Sequence, residues 1–176
     1  RLSTTEPEPY VDDEAPYTTP PKRPAQQAPP HDLAAEESVL GAMLLKSEAI
    51  VASLERVAAD DFYKPAHAHI FEAIVSLHER AEPADPVTVA SELRRRNLLD
   101  EIGGVVVLSS LQANTPSTSN VGKYATIVRE HAVRRRLIGA AGELRQHAWE
   151  GDVEQAIATL ERAQLVLAAE AEGMAW

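Results

Sequence analysis

Few side chains in this sequence are placed for chemistry, and each candidate lacks a partner that its chemistry needs. Gly122-Lys123 suggests a phosphate-binding loop. Such a loop requires a glycine five residues before that pair, so that backbone amides wrap the phosphates, and a Ser or Thr after it to hold Mg²⁺. Ser117 and Tyr124 occupy those places, so the pair reads as a helix start. His78-Glu79-Arg80-Ala81-Glu82 follows a zinc-protease helix up to its last position, where Glu82 stands in place of the second imidazole. His67 and His69 are two residues apart on an expected helix, pointing about 200° away from each other, and do not chelate one ion. The adjacent acids Glu36-Glu37 and Asp60-Asp61 read as solvated faces or caps. With no cysteine, no nucleophile-elbow serine and no glycine-rich dinucleotide loop, the expectation is a non-enzymatic segment with no catalytic residue, cofactor or metal of its own.

Two basic triplets remain, Arg94-Arg95-Arg96 and Arg134-Arg135-Arg136. Three consecutive residues sweep about 200° of a helix, so neither triplet forms a one-sided rail for phosphates. Both are expected on solvated faces, the second also as a partner for an acidic helix. The alternative makes Val87 to Leu99 the entry of a helix-turn-helix and the protein a winged-helix DNA-binding regulator. Against it, Asp100-Glu101-Ile102-Gly103-Gly104 brings acids and glycines where a recognition helix should begin.

The chain that must position these groups has 176 residues, enough for one ordinary domain plus extras. Its formal net charge of −10 disfavours general binding to nucleic-acid backbones, and 5% aromatic residues leave few stacking platforms for single strands. No apolar run approaches the roughly 18 residues of a membrane span, so a soluble, cytoplasmic protein without membrane contact is expected. The sequence opens at Arg1 rather than Met and is expected to be a piece of something longer.

Eight of the twelve prolines lie within residues 1–30, which are expected to form a disordered tail. From residue 31 the apolar residues recur at helical spacing. Asp32 is placed to cap a helix with Leu33, Val39, Leu40, Met43 and Leu44 on one face. A second helix follows Ser47, with Ile50, Val51, Leu54 and Val57 inward. Pro65 suits the first turn of a third, striped by Ile70, Phe71, Ile74, Val75 and Leu77. Asp85-Pro86 starts a fourth, with Val87, Ala90 and Leu93 inward. Val105 to Leu111 is β-branched but has no alternating partner, so a helix is expected there too. The fold class is therefore all-α: a small multi-helix head over 31–117, then a long antiparallel helical hairpin over 118–172.

The hairpin's arms differ in charge. Residues 121–149 hold six Lys/Arg and two acids, whereas residues 150–176 hold one Arg and six acids. Gly151 separates them, and Asp152-Val153-Glu154-Gln155 has capping-box spacing. An arm of some 28 residues extends about 40 Å, further than a small head is wide. Two helices cover only one flank of each other, so the excess apolar positions are expected to pack on the hairpin of a second copy. That surface is assigned to Val121, Tyr124, Ile127, Val128, Leu137, Ile138, Ala141 and Leu144 on the first arm. Ile157, Leu160 and Leu167 complete it on the second.

The order of the short motifs resembles one family: the N-terminal domain of the bacterial DnaB-type replicative DNA helicase. The matching pieces are Ala35-Glu36-Glu37-Ser38-Val39-Leu40-Gly41, Asp61-Phe62-Tyr63, His67 through Phe71, Pro86-Val87-Thr88-Val89 and Leu98-Leu99-Asp100-Glu101-Ile102-Gly103-Gly104. Asn114-Thr115-Pro116-Ser117 and Tyr124-Ala125-Thr126-Ile127-Val128-Arg129-Glu130 complete the set across residues 33–170. Val107 stands where the family commonly has an aromatic. The resemblance implies domains that dimerise through their hairpins and assemble as a trimer of dimers into a ring collar. It implies binding of the helicase-binding domain of primase and help in positioning a helicase loader. It also implies that residues 173–176 begin a linker to a missing C-terminal ATPase domain, where ATP and Mg drive a hexamer 5′→3′ along single-stranded DNA.

Overall fold

A computed structural model describes residues 28–173. Of the tail expected over residues 1–30, residues 1–27 lie outside the described residues, and the Pro30 carbonyl is held by Arg135. Of the linker expected over 173–176, Gly173 closes the last helix and 174–176 lie outside the described residues. Every regular element among the described residues is helical, so the all-α class holds.

Local chemistry sets most helix starts. The Asp32 carboxylate accepts from the Ala35 N–H at 2.9 Å and opens α1 (Leu33–Leu45). Its Val39, Leu40, Met43 and Leu44 are buried, while Leu33 lies at the rim and is partly exposed. In α2 (Ser47–Leu54) Ile50 is buried and Val57 is buried just beyond the helix, but Val51 and Leu54 face solvent, contrary to expectation. The helix is two turns long and rests on its neighbours through one narrow face. A 3-10 turn over Ala59–Asp61 leads to α3 (Pro65–Glu79), whose Ile70, Phe71, Ile74 and Leu77 fill the centre of the head.

Asp85 caps α4 (Pro86–Arg95), accepting from the N–H groups of Val87 and Thr88 at 2.8 and 3.0 Å. Ala90 and Leu93 point inward. Val87 does not; it lies outside in the first turn, and Val89 takes the buried place. Gly103 and Gly104, with φ of 96° and 80°, turn the chain into α5 (Val105–Ala113). Here the β-branched run is helical, as expected. α5 crosses α1 closely: a Cβ on Gly41 would lie 2.2 Å from the Leu111 carbonyl oxygen.

The hairpin is α6 (Val121–Glu150) and α7 (Val153–Gly173). Gly151 in the left-handed region, φ 77°, ends α6, and the Asp152 carboxylate accepts from the Gln155 N–H at 3.0 Å. α6 begins inside the head rather than beside it. Ala125 and Val128 belong to the same buried cluster as Leu40, Ile70 and Leu108.

Candidate functional site

The residues assigned to self-association divide into two groups along the hairpin. Val121 and Val128 are buried and Tyr124 and Ile127 are packed on the head's core, so the chain's own α1, α2 and 3-10 turn cover them. Val121 and Val128 are corrected from a surface between copies to the root of the hairpin, while Tyr124 and Ile127 are half-buried against the head. One continuous apolar stripe serves two neighbours in turn, first the head and then whatever lies beyond it.

Past Ala132 the stripe emerges. Leu137, Ile138, Ile157, Leu160 and Leu167 are 39%, 59%, 52%, 47% and 39% exposed, respectively. Ala141 is exposed, and Leu144 is half-buried. Val133, Leu137 and Ala140 of α6 meet Ala163, Val166 and Leu167 of α7 across a groove of about 300 Å³. That register makes the arms antiparallel. Trp149 and Val153 stand exposed at the tip. Arg162 of the acidic arm pairs with Glu143 of the basic arm at 3.7 Å, the reverse of the arms' net charges, and both are exposed, so this pair contributes at most about 1 kcal/mol.

Three acids are buried, and two of them, Glu36 and Asp61, are among those expected on solvated faces or as caps. Glu36 is paired with His67, whose Nδ1 donates to Oε2 at 2.7 Å, and Oε1 accepts from the Tyr63 N–H at 2.7 Å. This pair ties α1 to the start of α3. His69 points elsewhere, towards Glu101 at 3.8 Å. Asp61 is buried against α6, where Arg129 and Arg136 bind its carboxylate. Arg135 and Arg136 of the second basic triplet thus bind the head. Glu92 lies buried on α4 and accepts from Arg80, Arg95 and Arg96. Burial pushes its carboxyl up, but the hydrogen bonds from Arg95, Arg96 and Arg80 outweigh that and hold it down at about 2.

Among the described residues no group of three or more His, Cys, Asp or Glu is arranged to hold a metal ion, and no helix is long and apolar enough to cross a membrane. Gly122 and Lys123 lie in the first turn of α6, where the Lys123 N–H donates to the Asn120 carbonyl at 2.9 Å.

Among the described residues the molecule is an all-helical domain, a head carrying a hairpin whose apolar face is left half-exposed. The chain belongs to the DnaB-like helicase N-terminal domain family, whose model matches residues 28–130. It is similar to the replicative DNA helicase DnaB of Mycobacterium leprae, with 49% identity over 132 residues, 75% of this chain and 22% of that protein. It is also similar to the crystal structure of the N-terminal domain of DnaB helicase from Mycobacterium tuberculosis. There the TM-score is 0.73 at 47% identity, covering 77% of this chain and 99% of that one. A structure of a DnaB-like replicative helicase and its interactions with primase shares the fold, with a TM-score of 0.64 at 23% identity over 76% of this chain and 31% of that one. The chain spans less than a third of the length of the curated relatives it matches.

Proposed function

We propose that this chain is the amino-terminal scaffold of a replicative DNA helicase, that its hairpin pairs with the hairpin of a second copy, and that such pairs form a trimer of dimers around a ring. The observation that carries this is the row of half-exposed Leu and Ile on both arms beyond Ala132. Covering one half-exposed Leu or Ile contributes about 1 kcal/mol. A two-fold pairing counts each side chain twice, so five such residues supply about 10 kcal/mol. That lies within the roughly 4–15 kcal/mol that association costs in lost freedom, which makes an isolated pair weak and a closed ring more stable.

The collar so formed binds the helicase-binding domain of primase and helps position a helicase loader. The solved DnaB-like helicase with its interactions with primase supports the primase limb by shared fold. ATP hydrolysis, Mg²⁺ and 5′→3′ movement of the hexamer on single-stranded DNA fall to an ATPase domain of the parent protein, since Gly122-Lys123 lacks the glycine and the Ser or Thr of a phosphate loop, with Ser117 and Tyr124 in their places. The parent works in the cytoplasm, where that DNA is.

The chain has no cysteine, so Ile157→Cys gives a single thiol that pairs only with another copy. Mild oxidation is expected to yield a covalent dimer from Ile157→Cys and not from Glu72→Cys on the head. Equal yields from the two would contradict pairing through the hairpin. Co-elution with the helicase-binding domain of the cognate primase is expected in gel filtration; separate elution at high micromolar concentration would remove the primase limb.

A further inference from the structure

Three segments of chain meet where α6 leaves the head. Asp61, closing the 3-10 turn, uses Oδ2 to accept from the Ala58 N–H at 2.8 Å and from Arg129 Nη1 at 3.1 Å, and Oδ1 to accept from Arg136 Nη2. Its carbonyl oxygen accepts from Arg135 Nη2 at 2.5 Å. Arg135 Nη1 donates to the Pro30 carbonyl at 2.7 Å, and its guanidinium lies 5.7 Å from the centre of the Tyr63 ring. His31 stacks on that ring at 4.1 Å. The segment before α1, the turn before α3 and two turns of α6 are thereby joined.

We infer that this clasp sets the direction in which the hairpin leaves the head, with Asp61 as its positioning residue. α7 packs along α6, and α6 enters the head against α1, α2 and the 3-10 turn, so α6 carries the hairpin. Its apolar contacts there include small residues, Ala125 and Ala132, along a narrow stripe. Contacts of that kind resist separation but have little directionality, leaving roll and tilt weakly fixed. Charged hydrogen bonds from Arg129 and Arg136, two turns apart, are directional and resist both motions. Asp61 is fully buried, whereas the side chains of Arg129 and Arg136 are 31% and 35% exposed. Removing the negative charge therefore takes away the charged acceptor that both part-exposed guanidinium groups share, and the loss falls on geometry more than on folding. The clasp lies within one protomer and acts whether or not hairpins pair.

Distances between nitroxides at Glu72→Cys on α3 and Glu150→Cys at the end of α6, both exposed positions, read the head-to-tip geometry directly. Labelled chain is diluted into unlabelled chain so that only pairs within a protomer contribute. The tip lies about 21 Å beyond Arg136 along α6, so a rotation of about 15° at the clasp moves it by about 5 Å. The parent chain is expected to give one narrow distribution. Asp61→Asn keeps an acceptor for the Ala58 N–H but removes the charge, and is expected to shift or widen the distribution by that amount. Arg136→Gln is expected to do the same, and Arg162→Gln, outside the clasp, to leave it unchanged. Should Asp61→Asn not fold, Arg136→Gln and Arg135→Gln decide the matter on the same readout. Folded clasp variants with the parent distribution would overturn the inference.

Discussion

Glu92 carries three guanidinium groups on its two buried oxygens, and the consequence is a pH dependence with a definite sign. Its carboxyl lies at about 2 in the folded chain against an ordinary value of 4.5. A carboxyl depressed on folding stabilises the folded state above its unfolded value, and that stabilisation is lost as pH falls through the folded one. Urea unfolding is therefore expected to show stability declining between about pH 5 and pH 2, with at most about 3 kcal/mol from this group. In Glu92→Gln that part of the decline should vanish; an unchanged slope would mean that other carboxyls account for it. Glu36→Ala leaves the buried His67 without its acceptor and is expected to cost about 3 kcal/mol in the same assay. Spacing alone made part of this legible, since Arg95 and Arg96 stand three and four residues after Glu92. Burial was not legible, because an acid between basic residues on an amphipathic helix has the same pattern whether its face is wet or covered. The same ambiguity left Glu36 and Asp61 as solvated faces or caps, of which Asp61 does cap the 3-10 turn through the Ala58 N–H.

The helices were legible from caps and period: Asp32, Pro65, Asp85-Pro86 and Gly151 stand at element ends, as their chemistry requires. What the period leaves open is which residues of a short helix touch a neighbour. Val51, Leu54 and Val87 satisfy the pattern yet face solvent, since two- and three-turn helices meet the core along narrow strips. Close approach between helices is equally silent in a single sequence. At Gly41 the approach of α5 leaves no room for a methyl group, with the Leu111 carbonyl and the Thr115 hydroxyl both inside contact distance. Gly41→Ala is expected to lose about 2–3 kcal/mol in chemical denaturation as α1 and α5 are forced apart. A loss below about 0.5 kcal/mol would show that α5 yields freely. Gly151→Ala meets no neighbour and suffers only from its positive φ, so about 1 kcal/mol is expected, confined to the hairpin tip and readable by amide exchange.

At the scale of the whole molecule, the length of α6 settles how the apolar stripe is shared. The head covers it through Ala132, and the remainder lies along α7 with one flank open. Read from the sequence, the whole stripe is surplus to the two helices, whereas in the structure it is the part beyond Ala132 that is left half-exposed. The sequence did not show that the first turns of α6 complete the head, because periodicity records that a face is apolar and not what lies against it. Leu144, half-buried in the hairpin, is accordingly a poor test of pairing, since a charge there would also unseat α7. Ile138 and Ile157 are better placed, more than half exposed and on opposite arms. The central claim is that the open flank is covered by another copy, and sedimentation equilibrium over a range of concentrations tests it most directly. The chain is expected to populate dimers or larger species at high micromolar concentration, and Ile138→Asp and Ile157→Asp to remain monomeric with the helical content of the parent. A parent chain that stays monomeric throughout, or aspartate variants that associate as it does, would contradict the account.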